Sequence, residues 1–182
     1  MSEWQNEPEE SKHASTQEIW SSDGVVRLSR LDVSDAVELF SLIETNREHF
    51  SEFGDITIGR VKDRDELLEK IKHTTNPGKV QYKISTVENK LIGVVSLNPD
   101  PSNFAYGEIS YYLGKEHTRK GYMSRAVNSL VDYAFSHLGF RTIYGIVFED
   151  NTASVNILKR SGFTEQNRID EEIHFYRHKL NE

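Results

Sequence analysis

The 182-residue chain contains no cysteine. Disulfides and thiolate catalysis are thereby excluded, so acid–base chemistry must draw on Asp, Glu, His, Tyr, Ser or water. It has no apolar run approaching the roughly 20 residues that cross a bilayer, and its start carries neither the basic segment nor the apolar block of a secretory signal. A cytoplasmic protein with no membrane partner is expected. Positive charge is also scarce: 22 Lys and Arg stand against 29 Asp and Glu, a formal net charge of −7. That balance argues against general nucleic-acid or anionic-membrane binding, which needs a positive field to release counterions from phosphate, and it tolerates basic partners.

What the chain does contain is an ordinary complement of apolar side chains, 36%, with 28% charged residues. Its length suits one domain that buries about 70% of its unfolded surface. Residues 1–24 are polar and acidic, with Trp4 and Trp20 isolated among them, and read as a mobile tail, with a short helix over Thr16 to Trp20 as the alternative. The domain is expected over 25–182. "VVRLSRL" alternates like a strand, Asp32 or Ser34 caps a helix over "DAVELFSLIETN", "HFSEFGDITIG" is aromatic loop or short helix, and "DRDELLEKIKHTT" is helical. "VQYKIST" and "KLIGVVSLN" form a hairpin, "PDPSN" breaks the chain, and "YGEISYYL" is a further strand.

A longer helix follows. Met123, Ala126, Val127, Leu130, Val131 and Ala134 recur at helical spacing. "RTIYGIVF" is a strand, "NTASVNILKR" a short helix stopped near Gly162, and the runs Thr164 to Ile169 and Ile173 to Lys179 a final hairpin. This order predicts an α+β domain around one twisted mixed sheet, mostly antiparallel and flanked by helices. Only the helical crossover from "YGEISYYL" to "RTIYGIVF" can make parallel neighbours.

That crossover contains "EHTRKGYMSRAV", the most cationic, glycine-broken turn of an acidic chain, set at a helix N-terminus. Unpaired N–H groups and the positive end of the macrodipole attract anions there, and Gly121 permits close approach. The turn is neither a nucleotide P-loop nor a G-x-G-x-x-G fingerprint, so on residue chemistry alone it is either a pyrophosphate site or a solvated basic turn.

From Val25 to Leu180 the chain resembles the GNAT superfamily of acyl-CoA N-acyltransferases, in particular the ribosomal-protein N-terminal (serine/alanine) acetyltransferase branch. The resemblance rests on "LIGVVSLN", "GEISYYLGKEHTRKGYMSRAV" and "DYAFSHLGFRTIYGIVFEDNTASVNILKRSGF", in the family's order. It implies a GNAT-like fold whose parallel strand pair splays apart, with acetyl-CoA as co-substrate and no metal. The family's phosphate loop reads Gln or Arg, two residues, Gly, one residue, then Gly or Ala. Here Gly121 matches strictly, Thr118 replaces the first residue, Arg119 stands where the branch usually has Gly, and Met123 in the last place resembles that branch. Amides of Arg119, Lys120, Gly121, Tyr122, Met123 and Ser124 are the implied pyrophosphate contacts, and main-chain groups near Tyr111 to Leu113 the implied contacts of the pantetheine amide and thioester carbonyl.

The resemblance also implies that Asn151 reaches the pantetheine arm and that Ser154 lies near the thioester sulfur. Without it, Asn151 is a helix cap and Ser154 a first-turn residue. Many relatives carry a proton-donating Tyr at the position of Leu158, so that task falls here to Ser154 or water. Glu108 is the candidate general base, on the strand before the loop, with Glu108, Ser110 and Tyr112 on one face; otherwise it is a surface carboxylate. Tyr106 and Tyr112 are weaker candidates for the base and otherwise packing residues. His174 and His178 are about 13 Å apart along a strand, too far to share a zinc ion. "NREHFSEFGDI", with Glu48, His49, Phe50 and Phe53, resembles the family's acceptor-side loop. The expected acceptor is a primary amine, such as the N-terminus of a ribosomal or other basic protein; a polyamine or other small amine is the alternative. A catalytically inactive acyl-CoA sensor is a further reading. A monomer or homodimer is expected.

Overall fold

The computed structural model describes residues 18–52, 56–72 and 78–180. Trp4, Thr16, Phe53 and the end of the "DRDELLEKIKHTT" helix at residues 73–75 lie outside them. Eight strands are present among the described residues: β1 (Ile19–Trp20), β2 (Val26–Arg30), β3 (Val80–Thr86), β4 (Leu91–Asp100), β5 (Asn103–Leu113), β6 (Thr142–Phe148), β7 (Thr164–Ile169) and β8 (Glu172–His178). They form one sheet in the order β1-β2-β3-β4-β5-β6-β8-β7, antiparallel everywhere except at β5–β6.

Strand alternation sends side chains to two helical layers. On one face, Ile109, Tyr111 and Leu113 of β5 join Val95 and Leu97 of β4, under α4 (Tyr122–His137) and α5 (Thr152–Arg160). Ala126, Val127, Leu130 and Val131 of α4 are fully buried there, each aliphatic larger than Ala worth about 1.5–3 kcal/mol of burial. On the other face, Val94 and Tyr112 pack under α1 (Ala36–Glu52) and α3 (Arg64–Lys72), beyond the short α2 (Ile56–Gly59).

The structure departs from the sequence reading in three places. Ile19–Trp20 is a strand paired to β2, not part of a helix, so the tail expected over residues 1–24 gives up its last residues to the sheet. Ser21 explains the reversal: its hydroxyl accepts the Val25 and Val26 amides at 3.1 and 2.9 Å, which turns the chain back on itself. The break at "PDPSN" is only a tight turn, with Asp100 Oδ1 accepting the Ser102 amide at 2.8 Å, so β4 and β5 both run to its edge. Asp32 is the cap upstream of α1 through a reciprocal bond pair with Asp35. That helix then runs on through His49 and Phe50, with a non-helical residue at Asn46 (φ −126°, ψ 15°). The buried Asn46 side chain donates to Leu42 O and accepts the Lys115 amide, both at 2.8 Å, so local polar bonds outcompete helical geometry there.

Candidate active site

The parallel β5–β6 ladder is short. It joins Tyr106 to Thr142, Gly107 to Ile143 and Glu108 to Tyr144, and goes no further. Both strands continue: β5 stays paired to β4 as far as Leu113, and β6 to β8 as far as Phe148. The sheet therefore opens as a V beyond Glu108 and Tyr144. The direction of the main chain follows from two bonds: Arg141 N–H donates to Ala105 O on the β6 side, and Gly114 N–H donates to Ile92 O on the β4 side. Because main-chain groups alternate sides along a strand, those of Tyr111 and Leu113 point into the V, where the ladder gives them no β6 partner.

Downstream of β5 the loop is built from left-handed residues. Thr118 Oγ1 donates to Lys115 O at 2.8 Å and ends a 3-10 turn over Lys115–His117. Arg119 then adopts φ 62° and Gly121 φ 78°. Gly121 sits at the α4 N-cap position with no side-chain cap bond, so the first-turn amides of Tyr122, Met123 and Ser124 keep the orphan character of a helix start. The glycine expected by family resemblance at position 119 is thus a conformational requirement that an arginine meets here under strain. Arg125 braces the loop from the helix: its guanidinium donates to Lys120 O at 3.4 Å and to Asp23 Oδ2 at 2.6 Å. Asp23 is fixed in turn by Ser21, and the Arg125 bond leads in holding its carboxyl down to about 2.

α5 crosses the V on the α4 side. Asn151 caps it, accepting the Ser154 amide on Oδ1 at 3.0 Å. Leu158 is buried and lies over the first row past the apex, since a Cβ added to Gly145 would fall 3.0 Å from Leu158 Cδ1 and 3.5 Å from Ile109 Cγ2. One helical turn away, Ser154 lies over the next row, where the Tyr111 hydroxyl is 3.5 Å from its carbonyl oxygen.

Glu108 stands at the apex on the opposite face. Burial pushes its carboxyl above the usual range, the Glu172 carboxylate adds to the effect, and Lys79 offsets part of it. Tyr144, its β6 neighbour, has its own pKa raised by burial and then by Glu108 and Asp100, and its ring lies 5.8 Å from that of Tyr176. Farther out, Phe50 of α1 meets Tyr112 edge-on at 5.2 Å. An acidic, aromatic floor thus leads to the apex. His178 is engaged elsewhere, Nδ1 with Thr142 Oγ1 at 3.0 Å, and among the described residues no cluster of three metal-ligating side chains occurs.

The expected site residues converge on two regions. Tyr111, Leu113, Asn151 and Ser154 gather around the V with Glu108 at its apex, while Arg119, Lys120, Gly121, Tyr122, Met123 and Ser124 form the loop at the start of α4. Asn151 performs its capping role. Two neighbours of these regions escaped the sequence reading: Arg125 as a brace, which pairs with a residue 102 positions away, and the Tyr111 side chain beside Ser154, a residue considered there only for its backbone. No local pattern marks either.

Residues 26–164 match the acetyltransferase (GNAT) domain family. The probable N-acetyltransferase YjcK of Bacillus subtilis is 32% identical over 145 residues, spanning 73% of this chain and 77% of that protein. Among solved structures, RimL, a ribosomal L7/L12 α-N-protein acetyltransferase in complex with coenzyme A, superposes with a TM-score of 0.73 at 20% identity, over 89% of this chain and 98% of that one. Spermidine N-acetyltransferase from Vibrio cholerae, in complex with coenzyme A and spermine, gives a TM-score of 0.70 at 23% identity, over 84% and 95% of the two chains. At these identities the two solved structures speak to the fold alone. Together, the family match across most of the sequence and the extended identity to YjcK establish that the chain belongs to the GNAT family of acetyltransferases.

Proposed function

We propose that the protein is an acetyl-CoA-dependent N-acetyltransferase whose acceptor is a protein N-terminal amine. The observation that carries this reading is the V beyond Glu108 and Tyr144, with an amide-rich helix start beyond one arm and a half-buried carboxylate at its apex. The residues suit coenzyme A. Amides of residues 119–124 and the charges of Arg119 and Lys120 receive the pyrophosphate, and the main-chain groups of Tyr111 and Leu113 receive the pantetheine amide and thioester carbonyl, with Asn151 beside the arm.

Acetyl-CoA supplies an acetyl thioester. Glu108 accepts the proton that the acceptor ammonium must lose, directly or through one water, and its raised pKa strengthens it as a base. The amine nitrogen bonds to the acetyl carbon and releases its second proton to water, the carbon–sulfur bond breaks, and its electron pair leaves on sulfur. Main-chain donors of the V stabilise the intervening oxyanion, and Ser154 orients the sulfur.

The acceptor reading draws on RimL and on the acidic, aromatic floor of Glu108, Asp100, Tyr144 and Tyr176, which suits a cationic amine. The same floor favours a second reading, a polyamine, which is the class named for the Vibrio cholerae neighbour. Thiol release from acetyl-CoA, followed with peptides bearing free serine or alanine N-termini and with spermidine, separates the two. Turnover on peptides alone supports the first reading and turnover on spermidine alone the second. Coenzyme A binding with no turnover on any amine would reduce the protein to a sensor.

A further inference from the structure

Tyr111 carries a hydroxyl for which the amine chemistry has no task. Its ring packs against the apolar cluster under α4 and α5, and Val95 is its partner across β4. Among the described residues the hydroxyl donates to Ser154 O alone, at 3.5 Å, well beyond the roughly 2.5–3.0 Å of an ordinary O–H···O bond. Burial raises its pKa far above that of a free phenol, so the proton stays on oxygen at any working pH. The hydroxyl of this partly buried residue thus has most of a hydrogen bond left to give.

Its position gives that bond a use. Glu108 and Tyr111 lie on opposite faces of β5, three residues apart, at and just beyond the point where the V opens. An amine deprotonated on the Glu108 face reaches the carbonyl from that side, and the coenzyme A reading above sets the sulfur beside Ser154, on the α5 face. The α5 residue nearest the apex on that face is Leu158, which has no polar side-chain atom. Ser154 and Tyr111 meet one row farther out.

We propose that the Tyr111 hydroxyl donates a hydrogen bond to the sulfur of coenzyme A and stabilises the thiolate as it leaves. This rests on the coenzyme A reading above. The carbon–sulfur electron pair moves onto sulfur and Tyr111 keeps its proton, because a phenol, of reference pKa about 10, is a weaker acid than a thiol at about 8.5. The thiolate takes its proton from water afterwards. Tyr111 therefore acts as a hydrogen-bond donor and not as an acid.

The test uses coenzyme A, whose thiol ionises, against acetyl-CoA, whose sulfur does not. Calorimetric affinities are measured from about pH 6.5 to 9.5, across the thiol's reference pKa, for the parent and Tyr111→Phe. In the parent, coenzyme A should gain affinity over acetyl-CoA by about tenfold as the thiol ionises, and Tyr111→Phe should flatten that gain. The variant should also lower kcat with acetyl-CoA affinity unchanged. Site-specific 3-fluorotyrosine at position 111, a more acidic donor of the same shape, should enlarge the gain. Identical pH dependence in parent and Tyr111→Phe overturns the proposal, as does an equal loss of affinity for both ligands, which marks a packing role. If neither protein binds coenzyme A at all, the cofactor reading fails first and the proposal with it.

Discussion

Arg119→Gly separates two properties of the proposed cofactor loop that the parent residue combines. Arg119 is exposed and left-handed at φ 62°, a conformation that costs an L-residue about 1–2 kcal/mol. Glycine removes the steric cost but brings an entropic one of about 0.5–1 kcal/mol, because its unfolded chain is freer. The net expectation is a gain of about 0.5–1 kcal/mol, and hence a melting temperature higher by about 1–4 °C for a chain of this size. Affinity should move the other way. Losing an exposed cation beside a pyrophosphate should weaken coenzyme A by about two- to fivefold at low salt, a difference that high salt screens away. Arg119→Ala is the control, since it loses the cation and keeps the strain. Thermal melts and calorimetry with coenzyme A read both quantities. An Arg119→Gly protein that melts no higher than Arg119→Ala would refute the left-handed loop, and undiminished affinity in both variants would remove Arg119 from the anion site.

Gly121→Val should weaken coenzyme A more strongly, because Gly121 is also left-handed and an added Cβ falls 2.6 Å from Arg125 Nη1; a folded variant that binds like the parent would exclude the loop as the binding element. Glu108→Gln should lower kcat by about 10²- to 10⁴-fold with acetyl-CoA affinity nearly unchanged, and should abolish the rise of activity with pH through a carboxyl pKa above 4.5. The same variant should be less prone to lose stability as pH climbs through that range, because the folded parent holds this proton more tightly than the unfolded chain and must ionise a half-buried group, whereas Gln does not; urea unfolding at pH 5 and pH 7 measures it. Ser154→Ala should cost about tenfold in turnover, the effect of roughly 1.4 kcal/mol, without abolishing it; a full rate with chemistry rate-limiting would leave Ser154 a helix residue only.

The parts of this molecule that follow local rules could be read from the sequence. α4 announced itself by apolar spacing, and Met123 through Ala134 are buried on the face that spacing predicts. Among the described residues the parallel pair lies where connectivity allows one, across the α4 crossover from β5 to β6. What escaped depends on partners distant in sequence. β1 is held by a serine-centred turn and by pairing to β2, neither of which leaves a period in two residues. The end of α1 bends because Asn46 bonds the Lys115 amide 69 positions away. Strand parity assigns Glu108 its face of β5, but its half-burial and its neighbour Glu172 come from the closing of β6 and β8 around it. The Tyr111 hydroxyl reaches its place beside Ser154 only once α5 has folded back over the V, so no pattern near residue 111 marks it.

The central claim is that acetyl-CoA lies in the V between β5 and β6 with its pyrophosphate on the α4 helix start. The most direct measurement is the backbone amide NMR spectrum of the full chain titrated with acetyl-CoA. Two groups of amides should shift together with one dissociation constant: residues 119–124 at the loop, and Tyr111 and Leu113 in the arm of the V that β6 leaves unpaired. Saturating shifts confined to other parts of the sheet, with both groups unmoved, would contradict the account.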